Sequence, residues 1–136
     1  MSKIFTDVEQ SKKLIELGID KNTADMRIGN YVGKSGKVDG TNLHYYTKEE
    51  SFGAPEIIPC WSLSALLDLI PPYLGDFDEG IDFGLSKSMN GKWYSAHYLQ
   101  PCILDGSTIS IKTVTGETAI DACVEMICWL KENKKI

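Results

Sequence analysis

Between residues 81 and 114 two turn signals, Asn90-Gly91 and Asp105-Gly106, separate three runs of alternating apolar and polar residues, and no other stretch constrains the fold as strongly. Asn, Asp and Gly tolerate the positive φ that a two-residue type I′ hairpin requires, so the pattern predicts a three-stranded antiparallel meander. A turn centred on Asn90-Gly91 places Phe83 opposite Tyr98, Leu85 opposite Ala96 and Lys87 opposite Tyr94. A turn centred on Asp105-Gly106 places Ile111 opposite Gln100 and Ile109 opposite Cys102. Directly paired residues share a face of the sheet. Both registers therefore put Phe83, Leu85, Tyr98, Ile109 and Ile111 on one side, the expected core. The other side carries Asp82, Gly84, Ser86, Ser88, Ser95 and His97, with Trp93 and Leu99 as apolar exceptions, and should be mostly wet.

Three helices are expected around this sheet. Thr6-Asp7-Val8-Glu9 reads as a capping box, a hydroxyl and a carboxylate three apart that satisfy two otherwise unpaired backbone donors. Val8, Leu14, Ile15 and Leu17 follow as an apolar stripe, and Gly18 can take the left-handed conformation that ends a helix, which gives a helix over about 7–17. A second, over 62–70, is capped by Ser62, with Trp61 and Leu66 spaced for a hydrophobic staple, and is stopped by Pro71-Pro72. The third, over 117–133, buries Ile120, Cys123, Val124, Ile127 and Leu130 along one stripe. In residues 19–58 Gly29, Gly33, Gly36 and Gly40 interrupt every short apolar run, leaving 26–32 and 43–46 as candidate strands. The expected fold class is α+β, an antiparallel sheet containing the 81–114 meander packed with three helices in two or three layers. No linker, repeat or low-complexity tract marks a boundary, so residues 1–136 are expected to form a single domain.

Fourteen basic and 19 acidic side chains leave a formal charge of −5, which disfavours nucleic acid as a partner, since backbone binding needs clustered Lys and Arg. Eight acids and no Lys or Arg lie between residues 49 and 82, a region of negative potential whose simplest form is a solvated acidic loop. No apolar run approaches the ~20 residues that span a bilayer, and the first residues lack the apolar core of a signal peptide. A cytoplasmic protein without membrane partners is expected. Cys60, Cys102, Cys123 and Cys128 form no C-x-x-C pair and lie far from His44 and His97, so no metal and no cofactor is expected. The thiols should be reduced, three or more of them acting as small core hydrophobes.

Motifs that suggest chemistry fail on spacing. Gly29-Asn30-Tyr31-Val32-Gly33-Lys34-Ser35 is one residue short of a phosphate-binding loop and is followed by Gly36 and Gly40, which cannot open a helix. Asp76-Phe77-Asp78-Glu79-Gly80-Ile81-Asp82 starts like a calcium loop but has Lys87 where the twelfth-position Glu should stand. Cys60, just before a helix start that would lower its pKa, and His97 are candidates for nucleophilic catalysis, although nothing in the sequence brings them together. No catalytic residue is assigned. Aromatic side chains dominate binding hot spots, so Trp93, His97, Tyr45 and Tyr46 are the candidate interaction surface.

Four blocks carry a resemblance: Glu9-Gln10-Ser11-Lys12-Lys13-Leu14, Thr23-Ala24-Asp25-Met26, Pro59-Cys60-Trp61-Ser62-Leu63-Ser64-Ala65-Leu66-Leu67, and Asp121-Ala122-Cys123-Val124-Glu125-Met126-Ile127-Cys128-Trp129-Leu130. In these the chain resembles a group of small proteins encoded by bacteriophages, prophages and mobile elements of anaerobic gut bacteria. Its final strand and helix are similar to the phage αβα-sandwich domain. The group has no assigned activity, so the resemblance implies context without mechanism. The functional expectation is a non-enzymatic accessory protein acting through contacts with a protein partner or a second copy. A small enzyme with an unrecognised site and a nucleic-acid-associated regulator are the alternatives.

Overall fold

The computed structural model describes residues 3–32, 38–47, 58–75, 80–101 and 104–136, and of residues 30–32 and 38–47 the backbone alone. The chain divides into two units, Ile4–Ala65 and Leu66–Ile136, the latter joined by the N-terminal Met1–Lys3 segment. The architecture is α+β, with three helices and two antiparallel sheets among the described residues.

In the first unit, helix α1 (Val8–Glu16) does carry a capping box, but one residue later than expected. The carboxylate of Asp7 accepts from the Gln10 N–H at 2.8 Å, and the Gln10 side chain accepts from the Asp7 N–H at 3.2 Å. Thr6 is unavailable as a cap because it is buried and otherwise bonded: its hydroxyl accepts from the Trp61 N–H at 3.0 Å and meets the Ser11 hydroxyl at 2.8 Å. At the other end Gly18 takes φ +91° as expected. The Gly18 and Ile19 N–H groups donate back to the carbonyls of Ile15 and Leu14, closing a Schellman motif.

A 3-10 turn at Lys21–Thr23 leads into β1 (Met26–Val32), which pairs on one side with β2 (Val38–Thr47) and on the other with β3 (Ile58–Cys60). The 26–32 strand is thus found as expected, and the 43–46 strand is longer than expected. Helix α1 packs on β3. Trp61, fully buried at the end of β3, is the anchor of this unit. Its backbone exchanges bonds with Thr6, and its indole N–H donates to the Thr23 hydroxyl at 2.9 Å. Ser62 caps helix α2 (Leu63–Leu69) as expected, accepting from the Ala65 N–H at 3.2 Å, while its own N–H and hydroxyl bond the Asp25 carboxylate.

In the second unit β4 (Tyr73–Leu74), β5 (Ile81–Lys87), β6 (Tyr94–Pro101) and β7 (Thr108–Gly116) form one sheet in sequence order. The β5–β6 register is the expected one throughout, with Phe83 opposite Tyr98 and their ring centroids 5.5 Å apart. The turn that produces it is not type I′: Gly91 alone has positive φ, and the loop closes through Ser88 and Trp93, the Ser88 N–H donating to the Trp93 carbonyl at 2.8 Å. Asn90 uses its side-chain carbonyl to accept from the Lys92 N–H and the Ser88 hydroxyl. The longer loop preserves the pairing because residues are added equally to both sides.

The β6–β7 register differs from the expected one. Gln100 faces Ile109, Leu99 faces Ser110 and Tyr98 faces Lys112, with a bulge between. The cause lies in the turn. Asp105 accepts from both the N–H and the hydroxyl of Ser107, and among the described residues there Gly106 alone takes positive φ, so a wider loop replaces the two-residue turn. Ile109 and Ile111, expected in the core, are 53% and 40% exposed. Lys112 and Val114 stand opposite Tyr98 and Ala96, where the expected register would put Thr113 and Thr115.

Helix α3 (Ala119–Glu132), capped by the Thr118 hydroxyl, packs on β6 and β7. It covers the side carrying Ala96, Tyr98 and Val114, and the Lys112 ammonium lies 6.0 Å from the Trp129 ring centre. Gly116 makes the close return of the chain possible: a Cβ there would lie 2.6 Å from the Ala122 nitrogen. The helix is buried on more than the expected stripe, since Ala122, Met126 and Cys128 are buried as well.

Candidate functional site: the open face of the four-stranded sheet

Alternation along β6 sends Trp93, Ser95, His97 and Leu99 to the face that α3 does not cover. The pairings add Ser88, Ser86, Gly84 and Asp82 from the β5 side, and Thr115, Thr113 and Ser110 from β7. Thr113, Thr115 and Ile111 are exposed, whereas Lys112, Val114 and Gly116 between them are half-buried. The rows across this face are Ser86–Ser95–Thr115, Gly84–His97–Thr113 and Asp82–Leu99–Ser110, closed at one end by Trp93. Asp82 is the one formal charge in these rows.

Trp93 is 50% exposed and is held through its backbone, with its N–H donating to the Ser88 hydroxyl at 3.2 Å and its carbonyl accepting from the Ser88 N–H. His97, expected as a surface residue, is half-buried. Its ring occupies the space that Gly84 leaves by lacking a side chain, for a Cβ on Gly84 would meet the His97 Cε1 at 2.4 Å. The His97 Nδ1 is buried without a hydrogen-bond partner among the described residues. His97 is thus packed into the sheet by a Gly opposite it, an arrangement visible in the sequence only once the register is known.

The four candidate residues fall in two places. Trp93 and His97 share the open face of the second unit, Trp93 immediately before β6 and His97 within it. Tyr45 and Tyr46 belong to β2 in the first unit, where Tyr45 pairs with Ile28 and Tyr46 with Arg27, positions on opposite faces of that sheet. Their side chains lie outside the described residues. Sequence reasoning missed Thr113 and Thr115 as members of the open face, because the assumed register turned them inward, opposite Tyr98 and Ala96. The signal that identifies them is Asp105-Gly106-Ser107, in which a Ser two residues after an Asp favours an Asx turn over a two-residue hairpin.

Cys60 is not poised for nucleophilic attack. Burial, and after it the charge of Asp25, pushes its thiol up to about 12, overriding the lowering by Arg27. Burial likewise pushes Cys123 up to about 11. Cys128 is buried too, and Cys102 lies outside the described residues. The 29–32 part of the glycine-rich motif is β strand, and 33–35 lies outside the described residues, as does 76–79 of the acidic loop. Among the described residues no three His, Cys, Asp or Glu side chains converge as metal ligands, and no helix is long and apolar enough to cross a membrane. The open face therefore offers an indole, hydroxyls and an imidazole arranged across a flat surface, groups suited to contact and hydrogen bonding. Comparison with protein-family models, with curated proteins and with solved structures found no match.

Proposed function

We propose that this chain is a non-enzymatic accessory protein, of a phage or related mobile element, that acts through protein contacts made by the open face of its four-stranded sheet. The observation that carries the reading is Trp93, half exposed on the face that α3 leaves uncovered and accompanied there by exposed Thr113 and Thr115. Large aromatic side chains bury the most area per residue at interfaces and dominate binding energy. The adjoining Ser and Thr hydroxyls supply a polar surround of the kind that borders such anchors. The mobile-element context rests on the four sequence blocks alone. Thr113 pairs with His97 across the strands, but its hydroxyl meets that of Ser110 at 2.8 Å while the His97 Nδ1 has no hydrogen-bond partner among the described residues, which favours contact over catalysis.

The test places a photo-crosslinking aromatic amino acid at position 93, and separately at exposed Lys134 as a control, in cells of the natural host. A defined protein adduct formed from position 93 and absent from position 134 supports the reading. Identical adduct patterns from the two positions overturn it.

A further inference from the structure

We infer that the outer edge of β7 is a docking strand for β7 of a second copy of this chain, joining two four-stranded sheets across a two-fold axis. The inference deepens the protein-contact reading by naming a partner, and it rests on that reading. β7 ends the strand order of its sheet, and among the described residues no strand pairs with its far side. Every second residue of an edge strand directs its N–H and C=O outward, and the partner that satisfies such a row in register is another strand.

Sheet edges are usually blunted by shortness, proline, charge or a bulge. The opposite edge of this sheet follows that rule, β4 being two residues long. β7 has nine residues and no proline. Its one charge, Lys112, reaches towards the Trp129 ring on the side covered by α3. Its bulge lies between Ser110 and Lys112, so the stretch 112–116 runs as regular strand.

The occupant follows from charge. In a chain with 33 Lys, Arg, Asp and Glu residues, β6 and β7 together carry one, Lys112. Two copies approaching by this edge meet no acidic side chain on either strand. A two-fold antiparallel pairing centred at Thr113 or at Val114 places Lys112 opposite Val114 or Gly116, never opposite its own copy. The pairing centred at Val114 places the exposed Thr113 and Thr115 opposite one another, and the pairing centred at Thr113 places Thr113 opposite itself, Thr–Thr pairs of the kind that stabilise antiparallel sheets. A two-fold contact of one surface with itself is also the commonest form of oligomer.

The experiment is sedimentation velocity of the full chain over a concentration series, with circular dichroism of each sample. The wild-type protein should dimerise. A Thr113→Asp/Thr115→Asp variant, which places like charges opposite one another in either pairing, should raise the dimer dissociation constant about tenfold or more. The matching Thr113→Lys/Thr115→Lys variant should also be weakened, and mixing the two should restore a dimer containing one of each. A wild-type chain that stays monomeric at its highest soluble concentration, or a dimer indifferent to both variants, overturns the inference. Neither outcome bears on the crosslink from position 93, which lies outside β7.

Discussion

At the scale of single residues, two helix ends make opposite uses of the left-handed region. Gly18 occupies φ +91° at no steric cost, whereas Lys134, after α3, holds φ 56° with a side chain attached. Both close Schellman motifs, the second through the Lys135 N–H on the Leu130 carbonyl at 2.7 Å. A side chain in this region costs roughly 1–2 kcal/mol. Gly18→Ala should therefore lose about that amount in denaturant unfolding, and Lys134→Gly should gain up to about 1 kcal/mol after the added chain entropy of Gly is subtracted. Gly18 was legible in the sequence because Gly after an apolar stripe has one common use. Lys134 was not, since Lys has no preference for that conformation and is held there by the bonds around it. Thr6 shows the same limit: a hydroxyl three residues before a carboxylate satisfies the capping pattern, and only its burial against Trp61 and Ser11 assigns it elsewhere.

At the scale of elements, pairing depends on turns whose internal geometry the residue types do not fix. The Asn90-Gly91 loop is wider than the expected one yet symmetric, so the β5–β6 register survived. The Asp105-Gly106 loop is wider and asymmetric, so the β6–β7 register shifted and Ile109 and Ile111 came to the surface. The three helices were legible from local signals, an apolar stripe ended by Gly18 for the first, the Ser62 cap and Pro71-Pro72 for the second and an apolar stripe for the third, none of which depends on distant partners. The open face was half legible: Trp93 and His97 fall on the expected side of the sheet, His97 half-buried where a surface residue was expected, and the β7 residues were misplaced.

One consequence of the β5–β6 register can be measured directly. Because the His97 ring fills the notch at Gly84, Gly84→Ala should displace it at a cost of about 1–3 kcal/mol, the range for overpacking. Adding His97→Ala should return part of that loss, so that the two substitutions show a coupling of roughly 0.5–3 kcal/mol in a double-mutant cycle. Additive losses would mean that the ring does not lie over Gly84.

At the scale of the whole molecule, buried thiols set the alkaline limit of stability. Cys60 and Cys123 titrate at about 12 and about 11 in the folded chain, against an ordinary value of 9.0. Above pH 9 the unfolded chain loses these protons while the folded chain keeps them. The contribution of these two thiols should accordingly be constant below pH 9 and fall as pH rises from 9 towards 11, by at most about 1.4 kcal/mol per pH unit for each thiol. Between 11 and 12 Cys60 is the one of these two thiols that still contributes. Burial also holds the Tyr98 phenol, bonded to the Pro71 carbonyl at 2.6 Å, above its ordinary range, which adds to the loss above pH 10. Denaturant midpoints measured against pH should show this slope, and Cys60→Ala with Cys123→Ala should flatten it between pH 9 and 10.

The account divides two tryptophans by role: Trp61 holds its unit together, and Trp93 waits on an open face. Denaturant midpoints of Trp61→Ala and Trp93→Ala, measured side by side with the wild type, test this most directly. Trp61→Ala should cost about 3–5 kcal/mol, as for large aromatic side chains removed from cores, and the lost indole bond to Thr23 adds to it. Trp93→Ala should stay within about 0.5 kcal/mol of the wild type, as for exposed positions. Comparable losses from the two substitutions, or an unperturbed Trp61→Ala, would contradict the assignment of Trp61 to the core and Trp93 to the contact surface.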